Sequence, residues 1–376
     1  MKILCAPNSF KGTLSSAQAA AAIARGMKNA IGAATAALPV SDGGDGLMEV
    51  LHAHCGGRLV GKTVRGPADR PVRAQYCILK DGSAVIEIAR ASGLALLRAN
   101  ALRPMEATSF GTGELIADAL ERGVRRIYAG LGGSATNDGG AGMAVALGAR
   151  LLDEKGSPVP PGVAGLLKLS KIDVSALHPG LKRTEIFALT DVRNPLLGRH
   201  GSARTYGPQK GAAPAQVDIM EKALARYSRI VKRDLRVDIA RVPSCAAAGG
   251  IAAGLRAFCG ARLENGADFV LKLLGAEKAV RGCDIVVTGE GCFDWQTFFG
   301  KAPAAVARLA LKHRKPVFVI AGQCRRLDID KLEANGITAV YCISGEDIST
   351  AQAQKNAARY VEAAAYCLAK SLETEC

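Results

Sequence analysis

A chain of 376 residues, 49% hydrophobic and 22% charged, has ample apolar side chain for a sizeable core; that excludes a disordered chain, and the length favours two domains. No apolar run approaches the ~18 residues of a membrane span, and the short apolar start ends at Pro7, too soon for a signal peptide, so a soluble, unprocessed, cytoplasmic protein is expected. The net charge of +15 admits a nucleic-acid partner, but only 5% of residues are aromatic and they are not interleaved with basic ones; a basic surface that attracts small anions fits at least as well.

The predicted elements begin with a strand over Lys2–Ala6, a loop at Pro7-Asn8-Ser9, and an Ala-rich helix capped by Ser15 or Ser16 that runs to about Lys28. A second strand, Thr35–Val40, leads through Ser41-Asp42-Gly43-Gly44-Asp45-Gly46 to a helix from Leu47 to about His54. Short β-like pieces separated by Gly66-Pro67 and Asp81-Gly82 fill Arg58–Ile88 and mark a change of subdomain. Alternation resumes with a helix over Gly113–Glu121 and strands at Arg126–Ala129 and Phe187–Thr190. Strands at Asp284–Thr288, Pro316–Ala321 and Thr338–Ile343 follow, with a helix at Pro303–Lys312. Regular β-α alternation with short apolar strands predicts parallel sheet covered on both faces. The late units resemble the first two. The expected fold is therefore α/β with two α/β domains: one made of residues 1–60 and 280–376, and a second inserted at 61–279 that carries the Gly-rich loop.

Two motif matches mislead. Gly56 to Thr63 fits G-x-x-x-x-G-K-T, but a helix precedes it and Gly66-Pro67 follows, the wrong context for a phosphate loop. Gly130 to Ala135 fits G-x-G-x-x-A after a strand, with Asp153 spaced as a ribose-binding acid, which keeps a nicotinamide-dependent oxidoreductase open. The polar run Thr136-Asn137-Asp138-Gly139-Gly140 weakens that reading, because the chain stays irregular where a Rossmann helix should run. Eleven cysteines, an odd number without C-x-x-C, argue against a zinc site or a disulfide framework. All five histidines read as structural or surface residues.

The segment Gly130–Gly142 holds six glycines with Ser134, Thr136 and Asn137 between them. Glycines allow close approach of a ligand, and a helix starting near Ala141 offers unpaired N–H groups, so an anion site is expected there. Four polar, acid-bearing loops are placed directly after strands: Asn8–Gly12, Ser41–Gly46, Thr190–Pro195 and Gly289–Asp294. Ligands of open α/β sheets bind at such strand ends. Phosphoryl transfer needs carboxylates to hold Mg²⁺ and orient a hydroxyl, and cations to spread phosphate charge. Asp42, Asp45, Asp191, Glu290 and Asp294 could supply the first, and Lys11, Arg193, Arg204, Lys210 and Lys301 the second.

Taken in order, the motifs resemble the type 1 glycerate kinase family over essentially the whole chain. They are A-P-N-S-F-K-G at 6–12, S-D-G-G-D-G at 41–46, A-S-G-L at 91–94, T-S-F-G-T-G-E-L-I at 108–116 and G-L-G-G-S-A-T-N-D-G-G-A-G-M at 130–143. T-D-V-R-N-P-L-L-G at 190–198, Tyr206–Ala212 for F-G-P-Q-K-G-A, A-A-G-G at 247–250 and T-G-E-G-C-F-D-W-Q-T-F-F-G-K-A-P at 288–303 complete the series. The resemblance implies ATP- and Mg²⁺-dependent phosphorylation of D-glycerate, with position 2 favoured over position 3, in organic-acid, glyoxylate or sugar-acid catabolism. It also implies a flavodoxin-like domain made from both chain ends. The expected catalytic residues are Asp191, Lys11 and Asp42; Asp191 orients the hydroxyl. Gly132, Gly133, Ser134, Thr136 and Asn137 are expected to hold ATP, and Asp45, Glu290 and Asp294 the Mg²⁺. Asn8, Ser9, Arg193, Asn194, Arg204, Lys210 and Lys301 are expected to bind glycerate. Partners are limited to glycerate and ATP, with no nucleic acid or membrane, in a monomer or homodimer. Two positions depart from the family pattern: Asn8, where Asp is usual, and Cys292-Phe293, where Arg-Ile is usual; Trp295 also stands where a small residue is common. Rival expectations are a kinase of another small hydroxy acid, the oxidoreductase, and a non-catalytic anion- or nucleic-acid-binding protein.

Overall fold

The computed structural model describes residues 1–325, 327–345 and 348–374. Its strands in chain order are β1 (Lys2–Cys5), β2 (Ala34–Ala37), β3 (Gly57–Arg65), β4 (Pro71–Leu79), β5 (Ala84–Glu87), β6 (Arg126–Gly130), β7 (Arg150–Leu152), β8 (Lys171–Asp173), β9 (Glu185–Thr190), β10 (Arg262–Asn265), β11 (Ile285–Phe293), β12 (Val317–Cys324) and β13 (Ala339–Cys342). The chain divides into two units, Met1–Asp42 with Asn265–Cys376, and Gly43–Glu264. The boundaries thus fall at 42/43 and 264/265, not at 60/61 and 279/280. The reason lies in packing. The helix Leu47–Cys55 lies on β4 and β5, and the helix Gly266–Leu273 lies on the helix Ala302–Lys312.

The first unit is a five-stranded parallel sheet in the order β13-β12-β11-β1-β2. Numbered by their use within this unit, the strands run 2-1-3-4-5, the flavodoxin-like order, and the direction of winding reverses between β1 and β11. Ser15 caps the first helix, Ser16–Ile31, in a capping box with Gln18, and Gly32 ends it in a left-handed conformation. That helix packs on Ala357–Thr374 so closely that a Cβ on Gly26 would lie 2.3 Å from the Glu362 carbonyl. Ile3, Cys5, Ile23, Val287, Ile320, Val361 and Leu368 belong to the core beneath the sheet.

The second unit has a six-stranded sheet in the order β10-β9-β6-β5-β4-β3, with the small hairpin-like pair β7-β8 beside it in sequence. β5, β6 and β9 run parallel, whereas β3, β4 and β5 form an antiparallel meander. The short β-like pieces of 58–88 are therefore the antiparallel flank of this sheet. The misleading G-x-x-x-x-G-K-T match lies in β3, where Lys62 pairs with Asp118 at 3.1 Å. Asp153 sits in a turn, its carboxylate accepting the Lys155 and Ser157 N–H groups at 2.9 Å, so it caps that turn. Ile86, Leu115, Ile127, Ala188, Met220 and Tyr227 are among the core residues of this unit.

Candidate functional site

In the first unit several of the candidate residues gather where β1 and β11 lie side by side. Pairing continues past the end of β1: the Asn8 N–H donates to the Gly289 carbonyl at 2.8 Å, and the Val40 N–H to the Pro7 carbonyl at 3.0 Å. Those two bonds bring Asn8, Asp42 and Glu290 into one row at the carboxyl end of the sheet. Gly289–Phe293 is not the expected loop, since β11 continues through it, paired with β12 as far as Cys324. The extra strand length exists because the glycines let neighbours close in; a Cβ on Gly289 would lie 2.2 Å from the Ile320 carbonyl.

Asn8 Nδ2 donates to Asp42 Oδ2 at 3.0 Å, and Asn8 Oδ1 accepts the Ser9 N–H at 2.8 Å. An aspartate at position 8 would set two carboxylates against each other; the amide instead holds Asp42 by a neutral donor. Glu290 is 5% exposed and accepts Thr297 Oγ1 at 2.5 Å and Lys301 Nζ at 3.4 Å. Burial first, with a smaller push from Asp42, raises its pKa to about 7, against the pull of Lys301 and Thr297. Asp294 caps the turn Trp295–Phe299 through the Gln296 N–H at 2.9 Å and lies 4.0 Å from Lys301 Nζ. Lys301 thus sits between two carboxylates. Among the described residues no group of three or more His, Cys, Asp or Glu side chains is placed to hold a metal ion. Lys11 lies in the exposed turn after Phe10, its backbone N 3.3 Å from where a Gly291 Cβ would stand. Phe293 is fully buried against Phe298, so the Cys292-Phe293 departure anchors the capped turn through an aromatic contact.

In the second unit the Gly-rich loop turns out differently from expectation. The helix that follows it is short, Ala141–Ala146, and its leading amides are already taken. Asp138 accepts the Gly140 N–H at 3.1 Å, the Gly142 N–H at 3.1 Å, and the Ser109 N–H and Oγ at 2.9 and 2.8 Å. Ser109 Oγ in turn accepts the Met143 N–H at 2.9 Å. The anion at this helix start is a side chain of the protein itself. Burial pushes the Asp138 pKa up, and its four donors pull it back. Several glycines are required by neighbouring chain, not by a ligand: a Cβ on Gly132 would lie 2.9 Å from the Gly44 Cα, and one on Gly140 2.9 Å from the Gly254 Cα.

The earlier half of the loop is held by a lysine. Lys210, 3% exposed, donates to Ser134 Oγ at 2.8 Å and to the Thr136 carbonyl at 2.7 Å. Burial draws its pKa down to about 7, opposed by the Asp138 charge. Lys210 is thus a clamp on the loop, where sequence had it reaching a substrate. Thr136 and Asn137 are fully buried, and Thr136 Oγ1 and both polar atoms of the Asn137 amide have no hydrogen-bond partner among the described residues. Asp45 follows the Gly43-Gly44 turn, its carboxylate packed at Gly133. After β9, Asn194 accepts Tyr206 Oη at 3.0 Å, and Arg193 is exposed. The Arg204 guanidinium pairs with Asp218 at 3.2 Å. Sequence reasoning missed Asp138, Ser109 and Thr297. S/T-x-x-E/Q cap searches do not find such partners, which lie 29 residues away or act across a turn.

Strand-end carboxylates beside a lysine, on a 2-1-3-4-5 sheet, are the groups that a small-molecule phosphotransferase of the α/β class uses. The Glycerate kinase family matches residues 3–373. The chain is 44% identical over 345 residues to "Glycerate 2-kinase" of Escherichia coli K12, covering 91% of this chain and 90% of that one. It is 41% identical over 375 residues to "Glycerate kinase" of Bacillus subtilis 168, covering 99% and 98%. A crystal structure from Salmonella typhimurium LT2, assigned provisionally as a glycerate kinase 2, is similar with a TM-score of 0.86 at 42% identity, covering 100% of this chain and 99% of that one. The chain belongs to the glycerate kinase family and is a phosphotransferase.

Proposed function

We propose that the protein transfers the terminal phosphoryl group of ATP to a hydroxyl of D-glycerate, giving 2-phosphoglycerate. The family match over residues 3–373 carries the activity, and the similarity to the E. coli protein named for position 2 supports the choice of hydroxyl. Asp191, at the end of β9, orients the attacking hydroxyl and takes its proton. Loop amides between Gly132 and Asn137 cradle phosphate, with Lys210 holding their shape through Ser134 and Thr136. Lys11, Arg193 and Lys301 offer positive charge to the anionic groups, and Asn8, Ser9 and Asn194 offer neutral donors and acceptors.

Asp42 and Glu290 fit a hard divalent cation: both are oxygen donors, and Asp42 adds to the cost of the Glu290 charge, which a cation would relieve. Mg²⁺, when bound there with the nucleotide, spreads the charge of the phosphates. The ten described cysteines are all unpaired, which accords with a cytoplasmic location.

A coupled assay of ADP formation with D-glycerate, ATP and Mg²⁺ tests the activity, and ³¹P–¹H correlation on the product identifies the esterified oxygen. Folded protein with no turnover above background would overturn the activity. A product esterified at position 3 would overturn the regiochemistry alone.

A further inference from the structure

Tyr206 ends the helix Ser202–Tyr206, and its hydroxyl has no part in the chemistry above. It donates to Asn194 Oδ1 at 3.0 Å, while Asn194 Nδ2 donates to the His200 carbonyl at 2.8 Å. A backbone carbonyl can only accept, so the nitrogen must face His200 and the amide has a single orientation. The Asn194 backbone is pinned too, its carbonyl accepting the Ala246 N–H at 3.1 Å. Asp191, three residues earlier, lies within electrostatic reach of the phenol. Burial, and then that charge, raise the Tyr206 pKa to about 12, so the hydroxyl keeps its proton at neutral pH.

We propose that Tyr206 is a positioning and specificity residue: it commits its proton to Asn194 Oδ1, fixes the amide, and so tunes this segment to a vicinal dihydroxy acid. With both bonds made, the Asn194 amide has one N–H left for a carboxylate oxygen. Tyr206 Oη has only lone pairs left, and Asp191 is an acceptor as well. Two acceptors within electrostatic reach of one another suit a substrate with two hydroxyl donors better than one with a single hydroxyl. This inference rests on the proposed glycerate kinase reading.

The variant Tyr206→Phe removes the hydroxyl and keeps the ring. The KM for D-glycerate should rise roughly three- to ten-fold, with kcat and the KM for ATP changed less than about two-fold. D-Lactate, which lacks one hydroxyl, should compete against D-glycerate relatively better in the variant than in the native enzyme. An unchanged KM for D-glycerate, or an equal rise in both KM values, overturns the proposal. If the native enzyme does not phosphorylate D-glycerate at all, the functional reading fails instead, and the lock is still read directly. In protein labelled with ¹⁵N at asparagine, the Asn194 side-chain amide protons should exchange faster in Tyr206→Phe; identical exchange overturns the lock.

Discussion

The two units each bury a titratable group at their site, and they do so with opposite signs. In the first, Glu290 is an acid whose pKa rises from 4.5 to about 7; in the second, Lys210 is a base whose pKa falls from 10.5 to about 7. Burial is the leading cause in both, since a low-dielectric surrounding disfavours whichever form is charged. The difference lies in what the partners are. Glu290 has a neighbour that wants its charge, Lys301, and a hydroxyl, so it stands ready to ionise when a cation arrives. Lys210 faces a hydroxyl and a carbonyl and acts as a brace for the loop. One site is poised electrically and the other is held mechanically.

The mechanical half is most sharply tested at Asp138. Replacing Asp138 by Ala leaves four donors without their acceptor, and should cost about 4 kcal/mol of stability in urea unfolding, the largest effect expected of any single change here. A loss under about 1 kcal/mol would mean that the loop does not depend on its internal anion.

The opposite signs predict opposite pH dependences. Unfolded Glu290 ionises above 4.5 while the folded group keeps its proton, so its contribution is full below 4.5 and is lost as pH rises to about 7. Unfolded Lys210 keeps its proton up to 10.5 while the folded group gives it up above about 7, so stability gains as pH rises from 7 to 10.5. Glu290→Gln should therefore look better relative to the native protein at pH 8 than at pH 5, by up to about 3 kcal/mol. Lys210→Met should compare worse with the native protein as pH rises from 7 to 10. Urea melts across pH check both, and parallel pH trends for the two variants would break the contrast.

Thr297→Val removes the hydroxyl that favours the Glu290 carboxylate. It should cost about 1 kcal/mol and move the carboxyl titration, seen by infrared difference spectroscopy, to higher pH. Two glycine changes separate close approach from backbone conformation. Gly132→Ala would press a methyl to 2.9 Å from the Gly44 Cα and should cost about 2 kcal/mol, whereas Gly12→Ala, at φ +79° in open space, should cost about 1 kcal/mol. Equal losses would say that the Gly130 segment has room for a side chain.

Much of the frame could be read before the coordinates. Ser15 announces its helix because a cap acts within one turn, and the strands announce themselves by short apolar runs between polar loops. The ends of elements were less legible: β11 runs on through Gly-Glu-Gly, a string that resembles a loop, because Gly289 admits the Ile320 carbonyl where a side chain would not fit. The candidate residues were found as strand-end acids and bases, but their pairings were not. Arg204 had the right chemistry for a substrate and is bound to Asp218. Lys210 had the same chemistry, was expected to bind glycerate, and is buried against the Gly-rich loop, donating to Ser134 and Thr136.

Taken alone, the sequence determined the α/β class, the alternation of elements, the discontinuous domain and the family, because local periodicity, turn chemistry and ordered motifs are properties of neighbouring residues. Only the tertiary structure decided which groups share a charge. Asn8, Asp42 and Glu290 meet because β1 and β11 pair across most of the chain, and Asp138 rather than a ligand fills the helix start because Ser109 folds onto it. Desolvation and hydrogen bonding act over a few ångströms of space, and distance along the chain does not report that.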